Sequence, residues 1–203
     1  MSLRIVAGEF KGRAIKSPSE ETTRPTTDRV RESVFSSVTS RMPGLSLEGV
    51  VVLDAFAGSG ALGFEALSRG AERCSFWELD DRARKVLEAN AAGLGLDRRR
   101  CSCKSGDVLD ASKRPLSFGK GFGLELLDPP YALDPAAVAG LLGRLREHGD
   151  LEPGAVVVYE HALARQQEVA DALCALEGFE LTGLKKYGKV GVAYLELGEG
   201  ADA

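Results

Sequence analysis

The chain has little with which to staple or metallate itself. Only 4 cysteines and 2 histidines occur among 203 residues. Cys101 and Cys103 stand two apart, Cys74 and Cys174 are isolated, and no Cys or His pair has the spacing of a four-ligand zinc site, so no metal is expected. Long apolar runs are missing too. The longest, residues 50–53 and 155–159, fall far short of the roughly 20 needed to span a bilayer, so no membrane association is expected. Met1-Ser2-Leu3-Arg4-Ile5 lacks the apolar stretch and small-residue cleavage site of a secretory leader, which points to a cytoplasmic chain with free thiols. There is no repeat of fixed period, and low complexity is confined to a polar loop at 17–23 and a tail at 198–203. A strong positive charge is also absent. With 26 basic and 30 acidic residues the net charge is −4, unlike a protein that coats nucleic acid.

What is present is an alternation. From residue 49 onward, β-rich runs at 50–54, 74–78, 100–104, 122–128 and 155–161 alternate with helical patterns at 61–69, 82–92, 135–147 and 163–175. This order predicts an α/β fold, a doubly wound and mostly parallel sheet with helices on both faces. The end departs from it: runs at 179–184 and 190–197, joined by Tyr187-Gly188-Lys189, predict a C-terminal antiparallel hairpin. Before the sheet lies a small N-terminal extension, residues 1–41, with extended runs at 4–8 and 13–16 and a helix near 27–41 whose Val30, Val34, Phe35 and Val38 point inward. The expected organisation is therefore an extension at 1–41, a catalytic domain at 42–198 and a flexible tail at 199–203.

Residues 50–63 read as a buried strand, a glycine turn and a helix start, with Gly58, Gly60 and Gly63 matching G-x-G-x-x-G. A dinucleotide site would set a diphosphate on that helix N-terminus. Here Asp54 ends the strand first, and its carboxylate would repel a diphosphate. S-adenosylmethionine has no phosphate, and its ammonium and sulfonium favour a nearby acid; the glycines let backbone approach it closely. Glu78 follows Asp54 at 24 residues, near the offset at which a carboxylate takes ribose hydroxyls. Asp107, after the third strand, can accept from the adenine amino group, with Leu79 and Val108 flanking the ring and Phe56 inside the loop. Three acids at successive strand ends fit the Rossmann-like class I architecture of methyltransferases using this cofactor.

Asp128-Pro129-Pro130-Tyr131 closes the fourth strand. Two prolines end a ladder, which alone would make them a strand terminator. They also fix the neighbouring carbonyls for a harder task. The lone pair of an exocyclic amine on a base is delocalised, and acceptors must draw it out of conjugation. Asp128 and the Pro129 carbonyl can take the two N–H groups while Tyr131 stacks on the unstacked base.

At these motifs the chain resembles the RsmD family of bacterial 16S rRNA guanine-N2 methyltransferases. The likeness rests on Arg24-Pro25-Thr26-Thr27-Asp28-Arg29-Val30-Arg31-Glu32-Ser33-Val34-Phe35, on the glycine loop through Ala71, and on Asp128-Pro129-Pro130-Tyr131. It extends to Arg4-Ile5-Val6-Ala7-Gly8 and Val190-Gly191-Val192-Ala193-Tyr194. The resemblance implies transfer of a methyl group to N2 of one guanine in 16S rRNA, with S-adenosylmethionine as donor, S-adenosylhomocysteine as product, and ribosomal proteins of a small-subunit assembly particle as part of the substrate of a monomeric enzyme. By position it assigns Asp54, Gly58, Gly60, Glu78 and Asp107 to the cofactor and Asp128 to Tyr131 to the amine. One departure stands in the fourth strand, where Gly123 and Glu125 replace an acid and an apolar residue.

Other readings compete. A DNA adenine-N6 or protein glutamine-N5 methyltransferase would use the same amine motif, although the chain is short for a separate DNA-recognition domain. An NAD(P)-dependent oxidoreductase conflicts with Asp54, and a non-catalytic RNA-binding module leaves the amine motif without a purpose. His148 is expected to cap a helix end. Trp77 reads as packing, and His161 as a residue that could face the cleft. Arg98-Arg99-Arg100, Lys113, Arg114 and Lys120 are either solvated turns or an RNA rim. Residues 1–41 carry eight basic against five acidic side chains, so the −4 averages a basic extension with an acidic remainder. Arg4, Lys11, Arg13, Arg24, Arg29 and Arg31 are the expected RNA contacts.

Overall fold

The computed structural model describes residues 3–17, 28–117 and 119–198. Arg24, most of the 17–23 loop and the 199–203 tail lie outside the described residues. The chain divides into two compact units, Met1–Asp107 and Val108–Ala203.

In the first unit, β3 (Val51–Asp54), β4 (Arg73–Glu78) and β5 (Cys101–Ser105) run parallel, with Asp54 opposite Phe76 and Glu78 opposite Ser105. β3 is buried along its whole length, as a strand covered on both faces requires. Helix α2 (Ala61–Ser68) is buried from Leu62 to Ser68, and its Phe64 meets Phe76 of β4 with ring centroids 4.8 Å apart. Helix α3 (Asp81–Leu94) starts where the Asp80 carboxylate accepts from the amides of Arg82 and Ala83, and stops at Gly95 in the left-handed region.

The N-terminal piece packs into this unit. β1 (Leu3–Arg4) and β2 (Ala14–Ile15) pair over two residues each, shorter than the runs expected, because left-handed turns at Gly8 and Gly12 intervene. Glu65, fully buried on α2, accepts from the amides of Val6 at 2.8 Å and Ala7 at 3.0 Å and pairs with Arg69 at 2.7 Å. Gly8 lies so close that a Cβ on it would sit 1.7 Å from the Ser68 carbonyl oxygen. Helix α1 (Asp28–Thr39) buries Val34, Phe35 and Val38 as its periodicity predicts, whereas Val30, also expected to point inward, is only half-buried in the first turn.

In the second unit, β6 (Phe122–Leu127) runs parallel to β7 (Leu151–Ala162), while β9 (Val190–Leu197) pairs antiparallel with both β7 and β8 (Phe179–Tyr187). Parallel strands followed by an antiparallel hairpin match the expected fold. Three details differ. β7 begins at Leu151, not 155, and the 163–175 helix opens as a 3₁₀ turn at Leu163–Arg165 before α6 (Gln166–Cys174). A single turn, α4 (Val108–Ala111), precedes β6, and α5 (Pro135–Glu147) follows it. Glu125 is fully buried on β6, and neither carboxylate oxygen has a hydrogen-bond partner among the described residues. Burial, reinforced by the charge of Glu152, pushes its carboxyl far above the ordinary range, so it is held neutral. Among the described residues no helix is long and apolar enough to cross a membrane.

Candidate active site

The glycine loop of the first unit is held from below. Asp54, 2% exposed at the end of β3, accepts from the Gly63 amide at 3.0 Å, placing negative charge at the N-terminus of α2. Glu78 accepts through one oxygen from the Gly58 amide and through the other from the Asp80 amide, each at 2.7 Å. A carboxylate has about four lone-pair sites, so two remain for further donors. The Ala57 amide closes on the Trp77 carbonyl at 2.9 Å, and Asn90 donates to the Ser59 carbonyl at 2.9 Å.

The three glycines do different things. Gly63 lets α2 press on the sheet, since a Cβ there would lie 2.3 Å from the Phe76 ring. Gly60, at φ +83°, is closed in by Phe64 and Leu87 at 2.3 and 2.5 Å from such an atom. Gly58, at φ +53°, has nothing within 4 Å on that side among the described residues. The open side of the loop is therefore at Gly58. Around it the unit presents Phe56, half-buried, Leu79, 68% exposed, and the half-buried Asp107, which follows Gly106 at φ +133°. Trp77 is half-buried, and its indole N–H has no partner among the described residues. Val108 opens α4 and is 2% exposed.

In the second unit, Asp128 follows β6 and stands exposed, Pro129 is buried, Pro130 is exposed and Tyr131 is 49% exposed. Although Asp128 is open to solvent on one side, the protein atoms crowding it reduce its hydration and push its carboxyl up to about 6. Loss of water, with the charges of Asp128 and Glu160, raises the Tyr131 phenol, which stays neutral. A turn from the Pro130 carbonyl to the Leu133 amide, 2.8 Å, carries the chain to α5, whose first turn Asp134 caps by accepting from Ala136.

Pro129, Pro130 and Tyr131 line a cavity of about 200 Å³ including its mouth, together with Tyr159, Glu160, His161 and Arg165. His161 is 3% exposed, and burial lowers its pKa, leaving a neutral ring whose Nδ1 lies 3.0 Å from the Ala162 carbonyl oxygen. Its ring occupies the space that a side chain on Gly191 would need. Arg165 was not foreseen as a site residue. It donates to the carbonyls of Tyr131 at 3.0 Å and Leu133 at 2.7 Å while paired with Glu168 at 2.9 Å, so one guanidinium fixes the backbone after the prolines. From sequence, Arg165 and Glu168 look like an ordinary helix-surface pair.

Of the basic residues expected to meet RNA, Arg4, Lys11, Arg13 and Arg29 are exposed. Arg4 is paired with Asp28 at 2.6 Å, and Arg13 donates to the Gly93 carbonyl at 2.5 Å. Arg31 needs correction. It is 1% exposed, bonded to Asp28 at 2.8 Å and to the Arg4 carbonyl at 3.1 Å, so its charge ties α1 to β1 and is not offered to phosphate. In the Arg98-Arg99-Arg100 run, Arg100 is taken by Glu9 and the Leu67 carbonyl, while Arg98 and Arg99 stay exposed.

Comparisons with known proteins identify the family. The family described as Conserved hypothetical protein 95 matches residues 3–196. The Bacillus subtilis protein YlbH, which carries an rRNA methyltransferase name, is 35% identical over 194 residues, covering 93% of this chain and all of the relative. Ribosomal RNA small subunit methyltransferase D of Haemophilus influenzae is 37% identical over 158 residues, 78% of each chain. The solved structure of a Haemophilus influenzae protein described as a methylase superposes with a TM-score of 0.77 at 28% identity, covering 98% of this chain and 100% of that one. The chain belongs to the Conserved hypothetical protein 95 family, that of the RsmD rRNA methyltransferases, and is itself a methyltransferase.

Proposed function

We propose that this enzyme methylates N2 of one guanine in small-subunit rRNA, taking the methyl group from S-adenosylmethionine. The observation that carries the reading is Asp128-Pro129-Pro130-Tyr131 at the end of β6: an exposed carboxylate, a rigid carbonyl and a half-exposed aromatic ring in four consecutive residues.

The first unit fits the donor. The open side at Gly58 admits a ligand against the backbone, the free lone pairs of Glu78 suit ribose hydroxyls, and Asp107 suits an adenine amine, with Leu79 and Phe56 as apolar surface. Asp54 supplies the negative field a cationic ligand needs. S-adenosylmethionine, when bound, supplies an electrophilic methyl on a positive sulfur and leaves as the neutral thioether.

The chain's residues prepare the nucleophile. Asp128 and the Pro129 carbonyl accept the two N–H bonds of the flipped guanine amine, which turns its lone pair out of the ring plane. Tyr131 stacks on the base for about 1–3 kcal/mol. Once the N–C bond forms, the nitrogen is cationic and strongly acidic, and a carboxylate raised to about 6 is a competent acceptor for the proton it sheds. Arg4, Lys11, Arg13 and Arg29 would meet phosphate on the extension, and the enzyme would work as a cytoplasmic monomer on assembling particles that include ribosomal proteins.

The test is transfer of labelled methyl to 16S rRNA, free and in small subunits from cells lacking the enzyme, followed by nucleoside analysis. N2-methylguanosine is expected. Label in adenosine, or in neither substrate, would refute the reading.

A further inference from the structure

The second unit is acidic as a whole, with nine Lys and Arg against fifteen Asp and Glu, yet three of the nine fall within five residues that contain no acid: Lys185, Lys186 and Lys189. All three are exposed, at the turn joining β8 to β9. Among the described residues Lys186 and Lys189 make no ion pair, and the Lys185 ammonium lies 5.8 Å from the Tyr194 ring centroid.

The register fixes where this turn lies in its own unit. Leu127, the last residue of β6, is opposite Tyr159 of β7. Farther along, His161 is opposite Gly191 and Gly191 opposite Lys186, so His161 and Lys186 share one face with only a glycine between them. The Leu163 amide bonds the Lys189 carbonyl at 2.9 Å, anchoring the turn beside the end of β7. The lysines therefore stand at the end of the sheet that carries Asp128, across three strand spacings of about 4.8 Å each.

We infer that the β8–β9 turn is a phosphate-binding surface for the RNA flanking the target guanine. Lysines on edge strands also guard against aggregation. A guard, however, would be spread along the edge, and residues 179–184, Phe-Glu-Leu-Thr-Gly-Leu, carry no base. The charge is gathered at the one end where a strand of RNA entering the site would pass. Lys186 and Lys189, with Lys185 beside them and no acid between, offer charge to successive phosphates, and counterion release makes such binding salt-dependent.

This inference rests on the rRNA reading above. Its test compares the full-length enzyme with the Lys185→Gln/Lys186→Gln/Lys189→Gln variant and with Lys186→Glu alone. Fluorescence anisotropy with a fragment of 16S rRNA is measured over a salt series, alongside thermal unfolding and S-adenosylmethionine titration. The slope of log affinity against log salt should fall by about 2, at roughly 0.7–0.9 for each phosphate no longer neutralised. RNA affinity near physiological salt should drop about tenfold, while unfolding and cofactor affinity stay at wild-type values. An unchanged salt slope would overturn the inference. So would a defect seen only with assembled particles, since the turn would then meet a ribosomal protein. A wild-type enzyme that shows the lysine-dependent slope but methylates no rRNA would leave the surface standing and refute the substrate reading instead.

Discussion

Gly58 and Gly60 lie two residues apart in the same turn, both with positive φ, and alanine should injure them in opposite ways. At Gly60 the new Cβ would meet Phe64 and Leu87 at 2.3 and 2.5 Å, both fully buried. Overpacking of that kind costs about 1–3 kcal/mol, and the left-handed backbone adds roughly 1–2. At roughly 2–4 °C per kcal/mol for a chain of this size, Gly60→Ala should lose about 4–20 °C in Tm. At Gly58 nothing among the described residues lies within 4 Å, so only the backbone cost applies and the loss should be about 2–8 °C. The methyl would nonetheless project into the space assigned to the cofactor. Gly58→Ala should therefore weaken S-adenosylmethionine binding at least tenfold, measured by calorimetry well below its own Tm. If Gly58→Ala bound the cofactor like wild type, or if both variants lost the same stability, the division of labour between the two glycines would be wrong.

Three further outcomes are expected. The Asp128 carboxyl, raised to about 6, accepts an N–H more strongly when ionised and only then can take the proton the methylated amine sheds, so single-turnover methyl transfer should fall as pH drops through about 6; Asp128→Asn, which keeps an acceptor oxygen, should retain part of the rate and lose that acid limb, whereas Asp128→Ala should be inactive. Arg165→Ala removes both bonds to the backbone after the prolines, about 1.5–3 kcal/mol of stability for a charged donor, so Tm should fall by about 3–12 °C, and kcat measured well below that Tm should fall roughly 10- to 100-fold as the motif loses its position, with added guanidinium restoring part of it. Unaltered kcat would show that the motif positions itself. Glu125 is neutral when folded, while the unfolded chain ionises above the ordinary carboxylate range; stability should thus be greatest below that range and decline as pH rises toward the folded value. Glu125→Gln should flatten that decline and raise Tm more at pH 8 than at pH 5 in melting curves. An equal shift at both values would refute a buried neutral carboxyl.

Local patterns carried most of the architecture. Continuous valines gave β3, the glycine turn gave the start of α2, and the residues of the amine motif are adjacent in sequence, so their grouping needed no tertiary information. What escaped was non-local. Arg31 looks like a surface charge until Asp28 and the Arg4 carbonyl close on it from two elements. Arg165 acts through carbonyls more than 30 residues earlier, which no periodicity announces. Glu65 reads as a solvent residue in a helical pattern, and its burial depends on a segment nearly 60 positions upstream. The α4 turn is too short for a hydrophobic period to register.

The docking of the first residues onto α2 bears on how the enzyme can be cut or extended. Residues 5–10 are a wedge whose backbone amides complete the solvation of Glu65 and whose Gly8 fits against Ser68 with no room for a side chain. A chain begun at residue 17 would leave Glu65 with Arg69 as its sole described partner and would uncover Ser68, at the far end of the helix whose start Asp54 holds. Trimming toward a minimal catalytic core would therefore unsettle the floor under the glycine loop, and a fusion joined at the front is better tolerated than a deletion there.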